Sequence, residues 1–186
     1  MQEQEQTPNV ESKVEPTEAA PPVELDPVKV QECRAKLERQ QNLPAGVVAG
    51  LAAAIVGAVI WAVITVMTKF QIGWMAVGVG FLVGFAVRFV GRGITRPFAV
   101  AGCLLALVGC LLGNLLSMCG FIATEKSVPL LDVLSRLNPE LAVRLLTATF
   151  SPMDLLFYGI ALYAGYQYST RRITSEELQS MMKEKS

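Results

Sequence analysis

The stretch Ala45–Met67, AGVVAGLAAAIVGAVIWAVITVM, decides the architecture of this chain. It has no ionisable group, and as a helix it is about 34 Å long, enough to cross a hydrocarbon core of about 30 Å. Working outward, three more apolar stretches follow: Ile72–Val90, Phe98–Ile122 and roughly Met153–Tyr168, each bounded by charge, proline or glycine. The reading is an all-α membrane protein, a four-transmembrane-helix bundle over residues 43–170, with spans at about 45–67, 72–90, 98–122 and 153–168. The composition agrees. Apolar residues make up 52% of the chain, above the ~45–50% usual for soluble domains, and mean hydropathy is positive.

Small residues recur inside three of these spans at helical spacing. Gly46, Gly50, Ala54, Ala58 and Ala62 lie four apart, and Ala76, Gly80 and Gly84 repeat the device. In the third span Gly102, Ala106, Gly109, Gly113, Ser117 and Gly120 are separated by steps of four and three. Lipid tails are as apolar as leucine, so membrane helices associate by close packing, and small residues belong at the contact. Packing within one bundle explains these seams. A seam left unused would make a homo-oligomer.

Charge lies outside the spans. Formal net charge is zero. Residues 1–42 hold nine acids and five bases, which excludes a basic tail for nucleic acid. Residues 1–26 read as a disordered acidic tail with Pro8, Pro16, Pro21 and Pro22 and little apolar matter to offset ordering entropy. A cleavable signal peptide would start basic and turn apolar early, so the first span is expected to be an uncleaved anchor. Pro27 opens a juxtamembrane helix over 27–42, with Val30, Cys33 and Leu37 on one face.

Basic residues near span ends set orientation, because short flanks that carry them stay cytoplasmic. Arg34, Lys36 and Arg39 precede the first span, Arg88, Arg92 and Arg96 surround the second turn-around, and Arg171 with Arg172 closes the fourth span. The opposite side has Lys69, Lys126, Arg136 and Arg144, three of them in a loop shared with Glu125, Asp132 and Glu140. Both termini are therefore expected in the cytoplasm, with residues 171–186 a cytoplasmic tail that includes a short helix started by the capping box Thr174–Glu177.

Few polar groups lie within the spans. Arg88 continues the Ala76, Gly80, Gly84 register near the cytoplasmic end. It either snorkels to the headgroups or joins Arg92, Arg96 and the basic end of the fourth span in an anion or lipid-headgroup site. Pairing of Arg88 with Asp154 is excluded, because the two begin at opposite faces. Ser151, Pro152 and Asp154 read as the N-cap, first-turn proline and helix-end carboxylate of the fourth span. Asn114, with Ser117 nearby, is expected to hydrogen-bond across helices. Tyr158, Tyr163, Tyr166 and Tyr168 all fall in the fourth span, the last two at interfacial depth.

Between the third and fourth spans, residues 129–149 should form two short amphipathic helices on the outer surface, with Leu130, Leu134 and Leu137 on one and Leu141, Leu145 and Ala148 on the other. Asp132 to Arg136 and Glu140 to Arg144 are spaced for i,i+4 pairs. The pair of helices is either a structural cap or an interaction platform.

No catalytic, cofactor-binding or metal-ligating residue can be named. The chain has no histidine, no Cys-x-x-Cys and no carboxylate cluster, and Cys103 and Cys110 are too far apart on one helix to bridge. The run GVGFLVG lies within a membrane helix, not in a phosphate-binding turn. An enzyme is not expected.

The runs GWMAVGVGFLVGFAVRFVGRG (Gly73–Gly93), GCLLALVGCLLGNLL (Gly102–Leu116) and MDLLFYGIALYAGYQYS (Met153–Ser169) resemble a family of small, largely uncharacterised bacterial multi-pass membrane proteins. The likeness covers about Pro44–Thr170. Some members have an amino-terminal zinc ribbon, which the single Cys33 of this segment cannot supply. The resemblance implies a four-span protein of the bacterial cytoplasmic (inner) membrane and brings no catalytic residue, substrate or cofactor. Two classes of function follow: a non-enzymatic scaffold or assembly partner, with the bilayer and a second copy or another membrane protein as partners, or a small channel or transporter subunit acting as an oligomer. Spans without carboxylates or histidines in their middles disfavour ion coupling.

Overall fold

A computed structural model describes residues 27–171 and Ser180. The acidic tail, Arg172 and the capping box at Thr174 lie outside the described residues. Within them the elements are α1 (Pro27–Arg39), α2 (Leu43–Thr68), α3 (Trp74–Gly91), α4 (Arg96–Glu125), α5 (Leu130–Ser135), α6 (Pro139–Thr149) and α7 (Pro152–Tyr168). The chain is all-α there, as expected. Three helices, α2, α3 and α4, are each long and apolar enough to cross a membrane, and α6 with α7 forms a pair bent by 106° that adds a further candidate. This is an integral membrane protein in contact with the lipid bilayer.

Helix ends follow local chemistry. The Asn42 side chain accepts the Ala45 N–H at 3.0 Å and Pro44 occupies the first turn, so α2 begins where the sequence places it. At α7 the capping box is complete: Ser151 Oγ accepts the Met153 N–H, and the Asp154 carboxylate accepts the Ser151 N–H at 3.0 Å. Lys69 and Arg92 end α2 and α3 in the left-handed region, at φ 58° and 50°. These are costly conformations for residues with a Cβ.

Packing follows the small-residue seams. α2 and α7 each pack on both α3 and α4, α3 touches α4, and α2 does not meet α7, so α3 and α4 form the short diagonal of a four-helix rhombus. The α2 seam is buried from Gly46 to Ala62. A Cβ added at Gly50 would come within 2.6 Å of Val87, and one added at Gly109 within 2.7 Å of Val79. The α3 seam serves the other side, where a Cβ on Gly80 would lie 2.8 Å from the Ala161 Cα. On α4, Gly102 faces Gly165 and Ser169, and Gly113 lies under the Trp61 ring. Every seam is used within the molecule, including half-buried Gly120, where a Cβ would run into the Val66 side chain of α2.

Lengths are unequal. At about 1.5 Å per residue, the 26 residues of α2 and 30 of α4 rise ~39 and ~45 Å, against ~27 and ~26 Å for the 18 of α3 and 17 of α7. α2, α3 and α4 are level at one end, where Gly46, Gly91 and Phe98 meet, whereas α7 stops lower, with Tyr168 against Gly84 and Ser169 against Gly102. The shortfall of α7 is therefore shared between the two ends, and that of α3 is at the far end. There α3 starts beside Cys110, whose thiol bonds the Ala76 carbonyl oxygen, and α4 continues to Glu125 with α5 and α6 against it.

Candidate functional site

Two places in this frame gather polar side chains. The first is the level end. Its centre is the turn joining α3 to α4, residues 92–95, which is tied to both neighbours. The Asn42 N–H donates to the Gly91 carbonyl at 3.1 Å, and the Arg171 N–H donates to the Gly93 carbonyl at 2.8 Å. Thr95 Oγ1 bonds Gln41 Oε1 at 2.8 Å. Beneath the turn Phe98 is buried against Gly46, Gly91 and Gly93, and a Cβ on Gly91 or Gly93 would run into its ring.

Beside this arch is a cavity of about 440 Å³ lined by Leu37 and Gln40 of α1, Arg88 and Phe89 of α3, and Arg92, Ile94 and Arg171. Three of the arginines that the sequence assigns to one side thus share one cavity. Arg96 does not line it, contrary to the expected grouping; it is the first residue of α4 and is exposed. No carboxylate is among the described lining residues. Arg88 is half-buried and Arg92 exposed.

The second place is the far half of the bundle. Asn114 is buried, and its Oδ1 accepts from Gln71 Nε2 at 3.2 Å. The partner of this oxygen is in the α2–α3 connection, and Asn114 also lies beside the Tyr158 hydroxyl of facing α7. Ser117 turns back to its own helix and donates to the Gly113 carbonyl at 2.7 Å. The Tyr158 hydroxyl donates to the Cys110 carbonyl at 3.4 Å. Among the described residues, Asn114 Nδ2, Trp61 Nε1 and Thr65 Oγ1 are buried with no hydrogen-bond partner. Asp154 is also buried here, held in its helix cap.

One contact has no signal in the sequence. Phe81, Phe85 and Phe89 form a column on α3, with successive ring centroids 6.4 and 6.0 Å apart, and Tyr168 leans on it at 4.7 Å from Phe81 and 5.4 Å from Phe85. The four-residue phenylalanine spacing announces one helix face, but nothing in it announces Tyr168. On α6, Glu140–Arg144 pairs at 2.8 Å with both side chains exposed. Asp132 and Arg136 do not pair, since α5 is six residues long and Arg136 is already its cap.

Among the described residues no three His, Cys, Asp or Glu side chains converge on a metal site. No family model, curated protein or solved structure compared with the chain matches it. The resemblance drawn from its glycine-rich runs therefore stands on those residues alone, and what holds is a multi-span helical membrane protein.

Proposed function

We propose that the protein is a non-enzymatic scaffold or assembly partner of the bacterial inner membrane, crossing it four times with α7 as the last span and both termini in the cytoplasm. The observation that carries this reading is where packing is complete and where it is not. The seams of α2, α3 and α4 are consumed inside one bundle. In contrast, α5 and α6 contain no buried residue and lean on α4 alone. The bundle is thus a rigid support that presents an amphipathic pair at its outer end. α6, turned 106° from α7, lies across the bundle, in the attitude of an interfacial helix. The asymmetry of basic residues supports the orientation.

The test is the mass of the full chain and its co-purifying chains in native-lipid discs. A defined partner or oligomer, lost when Leu141 and Leu145 are replaced by serine, is the expected result. A lone monomer under every condition would overturn it. A specific observation favours a second reading, a passive conduit: the unpartnered atoms of Trp61, Thr65 and Asn114 are polar groups inside the bundle. Asn114→Leu separates the two. A scaffold loses stability with no change in solute flux, whereas a conduit changes flux and keeps its fold.

A further inference from the structure

The arginine-lined cavity combines features that the scaffold reading does not use. Among the described residues, neither the Arg88 nor the Arg92 guanidinium has an ion-pair or hydrogen-bond partner, although both line one concave space. Like charges brought together repel each other, and an anion between them removes that repulsion. Arg92 adds a second cost. It caps α3 at φ 50°, its N–H bonded to the Arg88 carbonyl at 3.0 Å, in a conformation that glycine adopts without strain. A strained arginine at a glycine position fits a requirement for the side chain itself.

We propose that this cavity binds a phosphate group, carried by an anionic phospholipid or free in solution. The two guanidinium forks of Arg88 and Arg92 match the several oxygens of a phosphate, whereas a carboxylate has only two to share. The volume is within the ~300–1,000 Å³ range of small-molecule sites. The walls favour the lipid as the source. Leu37, Ile94 and Phe89 are apolar, and exposed Phe89 continues into the Phe85, Phe81 and Tyr168 column along the lipid-facing side of α3. A headgroup seated among the arginines thus leaves its acyl chains an aromatic track to follow into the membrane.

The experiment uses the full chain in discs of phosphatidylcholine with and without phosphatidic acid, with retained lipid counted by native mass spectrometry. The wild type should hold phosphatidic acid in preference to phosphatidylcholine. The double variant R88Q/R92G should lose at least about tenfold of that preference, and R96Q, which alters charge at the same end outside the cavity, should keep it. R92G alone relieves the strained φ and should melt no lower than wild type while binding less. It therefore reports on the site even if the double variant fails to fold. Displacement of phosphatidic acid by inorganic phosphate, or phosphate retention in phosphatidylcholine discs, assigns the site to a soluble source. Failure of both probes to bind, or an equal loss in R96Q, overturns the proposal.

Discussion

Adding one methyl group at Gly80 should separate α3 from α7. The ideal Cβ would lie 2.8 Å from the Ala161 Cα and 2.9 Å from its carbonyl carbon. Both are backbone atoms of a buried helix, so no side chain can rotate away and the helices must move apart by about 0.5–1 Å. A gap of that size forfeits a quarter to a half of each neighbouring dispersion contact, and overpacking of this kind costs about 1–3 kcal/mol. Alanine also gains about 1 kcal/mol over glycine in a helix, so the single variant alone understates the clash. Gly78 supplies the reference: it is in the same helix, and a Cβ there meets nothing within 4 Å. Propensity cancels between the two. Gly80→Ala should therefore be less stable than Gly78→Ala by about 1–3 kcal/mol, measured by unfolding in mixed detergent micelles. Equal stability, or Gly80→Ala the more stable, would refute the close packing of α3 on α7.

Three other substitutions probe different parts of the fold. Thr65→Val should be neutral or stabilising by up to about 1 kcal/mol, because it removes a buried hydroxyl without a partner; a clear loss in denaturation would mean that the hydroxyl is bonded after all. Ser151→Ala should cost about 0.5–2 kcal/mol by opening the α7 capping box, seen as a lowered melting temperature and earlier hydrogen exchange at Met153 and Asp154. Glu140→Gln should change stability by less than about 0.5 kcal/mol, since its ion pair with Arg144 is exposed; a larger effect in the same assay would mean that α6 is in a drier setting.

The seams were legible because close helix contact in lipid admits few residue types, so Gly46, Gly50 and Ala54 announce the contact without naming the partner helix. Helix starts were legible where a side chain makes the cap, as at Asn42 and Ser151. What the sequence withheld depends on which side chains converge after packing. Arg96 is four residues from Arg92, but between them the chain leaves a left-handed cap and re-enters a helix, so the cavity includes one and not the other. Arg171, remote in sequence, is brought in by its backbone bond to Gly93. Gln71 meets Asn114 for a similar reason: the partner of a buried amide is set by where α3 starts, and hydropathy is blind to that within a turn or two.

That start also ties the two polar regions to one geometric cause. α3 is too short to match α2 and α4, and the three are level at the arginine-lined end, so its deficit of ~12–18 Å falls at the other, where α7 also starts short of the end of α4. A short helix exposes its first N–H groups at depth, and in lipid those groups must be covered. At α7, Ser151 and Asp154 cover them with a cap. At α3, Gly73 offers no side-chain cap, and Gln71 and Asn114 gather beside the opening instead. α5 and α6 then lie against the length of α4 that the short helices leave bare. Extending α3 by a turn would require repacking Gln71, uncovering Asn114 and displacing the Phe157 ring from Gly73. The far end is thus the part of the molecule where sequence changes alter architecture, while the level end, knitted through Gly91 and Gly93, can exchange side chains around a fixed backbone.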